Sequence, residues 1–378
     1  MRAACFVLLI GLSACSSGSG GGGGPTDGGL GGSAGTAGAA GSGGAAGSGG
    51  AAGSGGAAGS GGAAGSGGTG NVSGSFGPAE VLADSQTASF RVVARNGIVF
   101  WNSRGGSFQP QPGSLQSIPN TGGTPNPIAT GDVRGITTSA SSIVWADATT
   151  STIYSANLDG SNTQPITSAT DVADVLAIGS DVYWTIATGT SGGFKRIPLA
   201  GGAPVDLVPT SNNQFYYLAG DAADVYAMGL VNGSPSIVFL PLQGGSGAVF
   251  ADASDLVPLA VDGSHLYTVS SDTVVRYPRT QGSTPETLAP IAGAFAVAVD
   301  ADAAYVTASD GLCESNSGSV YRIPFDTKVP QELASGQACP SGIAVDAQGV
   351  YWVNPGVRPA SGEPFTAGSG QLMRAPRL

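Results

Sequence analysis

The chain has 378 residues, of which only 10% are charged, against about 25% in an ordinary soluble domain; 64 are Gly, 2 are Lys and 1 is His. Fourteen Lys and Arg face 25 Asp and Glu, a net charge of −11. This excludes the basic footprint of a nucleic-acid-binding surface and any polybasic attraction to anionic lipid. With His265 the single histidine, His-ligated zinc and Ser-His-Asp chemistry have almost nothing to work with, and no catalytic residue is assigned.

Residues 1–14 read as an export signal. Arg2 supplies the positive start, and the apolar run from Cys5 to Ala14 is interrupted only by Ser13. Ten residues are too few to span about 30 Å of hydrocarbon as a helix, so the run is a signal rather than an anchor. It ends in Leu12-Ser13-Ala14-Cys15, which resembles the lipobox of bacterial lipoproteins. That resemblance implies cleavage before Cys15, lipidation of Cys15 and attachment to a membrane through the lipid. Ser16 lacks the Asp that favours inner-membrane retention in such lipoproteins. The expectation is therefore the outer membrane of a Gram-negative bacterium, with display at the cell surface.

Residues 15–75 form the second segment. Positions 16–70 hold 28 of the 64 Gly, and Gly-Ser-Gly-Gly-Ala-Ala recurs from Gly41. Nothing in this composition offsets the entropy of ordering, so it reads as a disordered linker with an r.m.s. span of roughly 40 Å.

The body, 76–378, repeats. Its anchors, the central residues of Val-Tyr-Trp-like triplets, are Phe100, Val144, Tyr183, Tyr226, Tyr267, Tyr305 and Tyr351, spaced 38 to 46 residues apart. A step near 42 residues is the length of a four-stranded propeller blade. Blade 5 divides into Pro258–Asp262, Leu266–Val269, Thr273–Tyr277 and Glu286–Ala289, separated by turn residues. The last repeat ends on its third strand at Gln371–Pro376. Pro78–Ala83 resembles a fourth strand, as in Pro285–Ala289 and Pro330–Ala334. The expected fold is all-β: a seven-bladed β-propeller whose N-terminal strand completes the last blade.

The recurring Val-Asp, Val-Tyr-Trp and Arg-Ile-Pro-Leu with Gly-Gly resemble the repeats of YWTD- and NHL-type propellers, and the propeller lipoproteins of high-GC Gram-negative bacteria. The resemblance implies a fold and leaves function open, because such propellers include enzymes and binding platforms.

Repeated polar residues read as structural. Asp221, Asp262, Asp300 and Asp346 sit where a tight hairpin offers backbone N–H groups. Arg196, Arg276, Arg322 and Arg374 precede a strand-three Pro and are expected to bond across neighbouring blades. The aromatic anchors are expected between blades.

Unrepeated features carry the functional expectations. Cys313 lies in a loop joining strands two and three, and Cys339 in a connection to the next blade. Both loops share one face of a propeller, so a Cys313–Cys339 disulfide is expected in an oxidising compartment. The long loop from Asn354 to Ser369 faces the same way. Asp132, Asp171 and Asp255 lie twelve residues before their anchors, with Arg134 and Asp174 close by. They are expected near the channel opening as a ligand- or metal-binding set, with Ca²⁺ or Mg²⁺ as the ion and no other cofactor. The leading functional reading is a lipid-anchored binding or scaffold module that takes a protein or small-molecule ligand at that face. The alternatives are a divalent-metal-dependent enzyme, lactonase- or lyase-like, and an envelope-assembly component.

Overall fold

The computed structural model describes residues 75–105, 108–109, 111–189, 191–360 and 363–378. The export signal, Cys15 and the glycine-rich stretch to residue 74 lie outside the described residues. The described strands form seven four-stranded antiparallel sheets, with no α-helix among them. Innermost strands of successive sheets pack side by side and close a ring, giving a seven-bladed β-propeller. The innermost strands of blades 1 to 7 are Ser89–Arg95, Val133–Thr138, Val172–Ile178, Gln214–Gly220, Ala260–Val261, Ala294–Val299 and Ile343–Val345.

Burial falls from the axis outward. The second strands of blades 6 and 7, Ala303–Ala308 and Gly349–Asn354, are buried at every position. The outer strand Asn126–Thr130 of blade 1 has no buried position. Second strands lie between two neighbouring blades, which is why they are apolar on both faces. Trp101, Trp145, Trp184, Trp352, Tyr226, Tyr267, Tyr305 and Tyr351 are fully buried there.

Ring closure follows the sequence expectation. Glu80–Gln86 pairs antiparallel with Gly370–Pro376 as the fourth strand of blade 7. Gln86 Oε1 then accepts the indole N–H of Trp101 in blade 1 at 3.0 Å. Gln337 does the same one blade earlier, accepting from Trp352 at 2.9 Å and from Asn354 Nδ2 at 3.0 Å. An outer-strand glutamine thus fixes the next blade's tryptophan.

The hairpin aspartates act as expected. Asp262 Oδ1 accepts the Ser264 and His265 amides, each at 2.7 Å, and Oδ2 accepts the Tyr267 hydroxyl at 2.6 Å. Asp300 with Tyr305 and Asp346 with Tyr351 repeat the arrangement.

The arginines differ from expectation. Register places Arg276 opposite Glu286 and Arg322 opposite Gln331 on the adjacent outer strand. Each bonds that partner first, at 2.6 and 3.0 Å, within its own blade. Arg196 likewise faces Tyr183 across the strand pair within its own blade. Only Arg374 among the four donates to another blade, to the Asn120 carbonyl of blade 1. The inter-blade bonds come instead from the residue after the Pro. Arg279 of blade 5 holds Asp221 of blade 4 through two N–H groups and reaches Asp224 at 3.1 Å. Arg377 of blade 7 holds Asp300 and the Tyr305 hydroxyl of blade 6. Phe325 of blade 6 occupies the same position and stacks on Tyr267 of blade 5, with ring centroids 5.6 Å apart. One position therefore clasps each of these blades to the one before, by charge or by ring.

Candidate functional site

The end of the propeller away from these clasps carries the loops between strands two and three and the connections between blades. A cavity of about 300 Å³ opens there on the axis. All seven blades line it, through Arg91, Arg134, Ala173, Tyr217, Pro258, Ala296 and Gly342 in turn. Arg104, from the strand-two to strand-three loop of blade 1, completes a group of three guanidinium side chains at one mouth.

Two of these arginines share a carboxylate. Asp132 Oδ1 accepts Nε–H of Arg104 and Oδ2 accepts Nε–H of Arg134, each at 3.2 Å. Burial alone would push the Asp132 carboxyl up, but the two guanidiniums more than offset it and hold the group below its ordinary value. For Arg104 burial is the largest effect and lowers it. Asp132 compensates only in part, and the nearby Arg134 charge adds to the lowering. The Arg104 guanidinium also lies over the Phe108 ring, 4.6 Å from its centroid.

The third arginine reaches past blade 2. Arg91 of blade 1 donates Nη2–H to Asp174 of blade 3 at 2.8 Å. Asp174 is fully buried and also accepts the Val175 and Leu218 amides at 3.0 and 2.9 Å. Burial still raises its carboxyl above the ordinary value. Blade 2 lies between these two blades, and Gly135 is what lets them meet. A Cβ on Gly135 would lie 2.8 Å from Val175 N and 2.9 Å from Asp174 Oδ1, inside van der Waals contact. Tyr217 of blade 4 completes this level, its ring centroid 4.9 Å from the Arg91 guanidinium carbon.

The disulfide supports one side of the mouth. Cys313 and Cys339 are bonded, 26 residues apart, as expected from loop placement. They pack with Ala88, Phe108 and Phe365 in a small apolar cluster. Phe90, which lines the cavity, meets Phe108 and Phe365 edge-on at 5.1 and 5.7 Å. Arg358 N–H donates to the Cys313 carbonyl, and its guanidinium lies 4.3 Å from the Phe365 centroid. The late loop 354–369 is thereby tied to the loops of blades 1 and 6.

The residues expected from sequence separate into three places. Arg134 and Asp171 line the cavity, Asp171 at its exposed rim, and Asp132 stands behind Arg104 and Arg134. Asp174 lies beneath, committed to Arg91. Asp255 is not in the cavity wall and accepts the Ser254 hydroxyl and the Ser271 amide. Among the described residues, no three His, Cys, Asp or Glu side chains gather closely enough to hold a metal ion. His265 sits at a hairpin in blade 5, with Nδ1 3.9 Å from Asp262. Sequence reading missed Arg91, Arg104, Phe90 and Tyr217. A signal for two of them exists. The position nine before each anchor is Arg91, Gly135, Asp174, Tyr217, Pro258, Ala296 and Gly342, a register whose residue type changes in every blade but two.

No family model matches the chain, and no curated protein matches it. Solved structures do. A structure of two prolyl endopeptidases matches over 72% of this chain and 47% of that one, with 8% identity and a TM-score of 0.51. This chain thus spans about half the length of that relative. A nidogen/laminin complex matches over 58% of this chain and 89% of that one, with 15% identity and a TM-score of 0.44. A Xanthomonas campestris gluconolactonase matches over 79% and 89%, with 13% identity and a TM-score of 0.47. Such likenesses bear on the fold alone.

Proposed function

We propose that the chain is an extracytoplasmic binding module, anchored through lipid on Cys15 to the outer membrane, whose ligand sits in the mouth of the propeller channel. The observation that carries the binding half is the cavity to which all seven blades contribute, with charged groups held in fixed positions on apolar walls. The anchoring half rests on Leu12-Ser13-Ala14-Cys15 and the glycine-rich stretch behind it. A cavity of about 300 Å³ suits a small molecule rather than a protein segment. A divalent-ion enzyme would need carboxylates free to converge, whereas Asp132, Asp174 and Asp255 are engaged elsewhere.

The test uses the full-length chain in detergent and its Ala173→Trp variant, which fills the mouth. Small-molecule library compounds are scored by thermal shift, and a ligand at 100 times its Kd adds about 2.7 kcal/mol. Compounds that raise the Tm of the parent and not of the variant support the reading; a library in which none behaves so removes it. Labelling with radioactive palmitate should mark the parent and not Cys15→Ala, and an unlabelled parent removes the anchor.

A further inference from the structure

Three of the chain's twelve arginines line one cavity in a molecule of net charge −11. Two carboxylates bond these three guanidiniums. Asp174 answers Arg91 from below. Asp132 alone answers both Arg104 and Arg134. Asp171, the remaining carboxylate of the wall, stands in solvent at the rim. Asp171 evens the formal count at three against three, but it bonds none of the three guanidiniums among the described residues, so the forks are short of partners rather than of countercharge.

The geometry also says which donors remain. Asp132 spends one oxygen on each guanidinium, and both bonds go to Nε. The Nη groups of Arg104 and Arg134 enter no hydrogen bond found among the described residues. Asp132 thus orients two forks and leaves their outer N–H groups for a third party. The Arg104 and Arg134 side chains are 12% and 32% exposed, so one fork is sheltered and the other reachable from solvent. A carboxylate is the planar, singly charged partner that such forks match. The lining also includes the apolar and aromatic side chains of Phe90, Ile136, Tyr217 and Phe295.

We infer that the mouth binds a small organic monocarboxylate with a flat apolar body, its carboxylate between Arg104 and Arg134 and its body against Phe90 and Tyr217. This inference rests on the reading that the mouth is the ligand site.

The experiment is calorimetric titration of the full-length protein with phenylacetate, phenylacetamide and inorganic phosphate. Phenylacetate is expected to bind at least about tenfold more tightly than its neutral amide, a difference of about 1.4 kcal/mol. Arg134→Gln, at the more exposed fork, should lose that preference without losing the fold, and Arg104→Gln should lose it too. Arg322→Gln, on an outer face, should leave it unchanged. Equal binding of acid and amide, or tighter binding of phosphate than of acid, overturns the carboxylate assignment. If none of the three binds, while neutral library compounds remain sensitive to Ala173→Trp, the carboxylate assignment falls and the mouth stands. If no compound is sensitive to Ala173→Trp, both fall.

Discussion

A methyl group on Gly135 would press on Val175 N and on the carboxylate of Asp174, so Gly135→Ala displaces a buried ion pair as well as a strand. The expected cost is about 1–3 kcal/mol, the range for overpacking a tight site, read as a lowered midpoint in urea. A steady midpoint would mean that the strands of blades 2 and 3 have room to part. Arg91→Met is the harsher change. It strands the Asp174 carboxylate in the interior, and losing one partner of a buried pair costs about 3–5 kcal/mol. Asp174 already titrates above its ordinary value because of burial, and losing Arg91 moves it further up. A raised carboxyl favours the fold while protonated, and this stability disappears as pH rises through the folded value. The Arg91→Met defect should therefore be largest at neutral pH and shrink on acidification. Thermal melts at pH 5 and pH 8 give the comparison, and a larger defect at pH 5 would contradict it.

Outer strands and loops hold neighbouring elements by charge and by covalent bond. Glu286 of blade 5 bonds Arg276 at 2.6 Å and Lys328 of blade 6 at 2.5 Å. These two bonds lower its carboxyl to about 2. A depressed carboxyl contributes stability above its ordinary range and loses it as pH falls. The Tm gap between the parent and Glu286→Gln should thus close between pH 4.5 and pH 2. A gap constant over that window would show that the ionised pair contributes nothing. The Cys313–Cys339 bond closes a 26-residue separation, for which chain entropy gives about 3–4 kcal/mol. Replacing both by Ser should lower the Tm and speed proteolysis within 354–369, which is tied to Cys313 through Arg358. Unchanged cleavage there would show that the loop stands without the bond.

At the scale of the molecule, closure is a single strand pairing made late in sequence terms. Deleting residues 1–86 removes the fourth strand of blade 7 together with Gln86, the acceptor for Trp101. That deletion should abolish the cooperative melt, whereas deleting 1–74 should preserve it. A cooperative melt for both would mean that blade 7 needs only three strands. The architecture was legible because the repeats share a frame: an apolar inner strand, an aromatic second strand, in blades 4 to 7 an Asp at the hairpin, and in all but blade 2 a Pro at or just past the end of the third strand. The disulfide was legible because loop placement alone brings Cys313 and Cys339 to one face. The mouth was half legible. Asp132 and Asp171 were picked out by their distance to the anchors, with Arg134 close by, whereas Asp255 at the same distance lies outside the wall; Arg91 and Tyr217 look like ordinary strand residues in isolation. Arg104 sits in a strand-two to strand-three loop, whose length and sequence differ from blade to blade. The arginine clasps were misplaced by three residues because cross-strand register, invisible in a one-dimensional pattern, gives Arg276 and Arg322 partners within their own blades.

The Arg91–Asp174 pair also joins blades that are not neighbours. It links blade 1 to blade 3 past the Gly135 backbone of blade 2, with Asp174 sealed from water and Tyr217 of blade 4 beside the guanidinium. Four successive blades therefore meet at one charged joint, in addition to the contacts each makes with the next. None of the four can tilt without disturbing a buried charge.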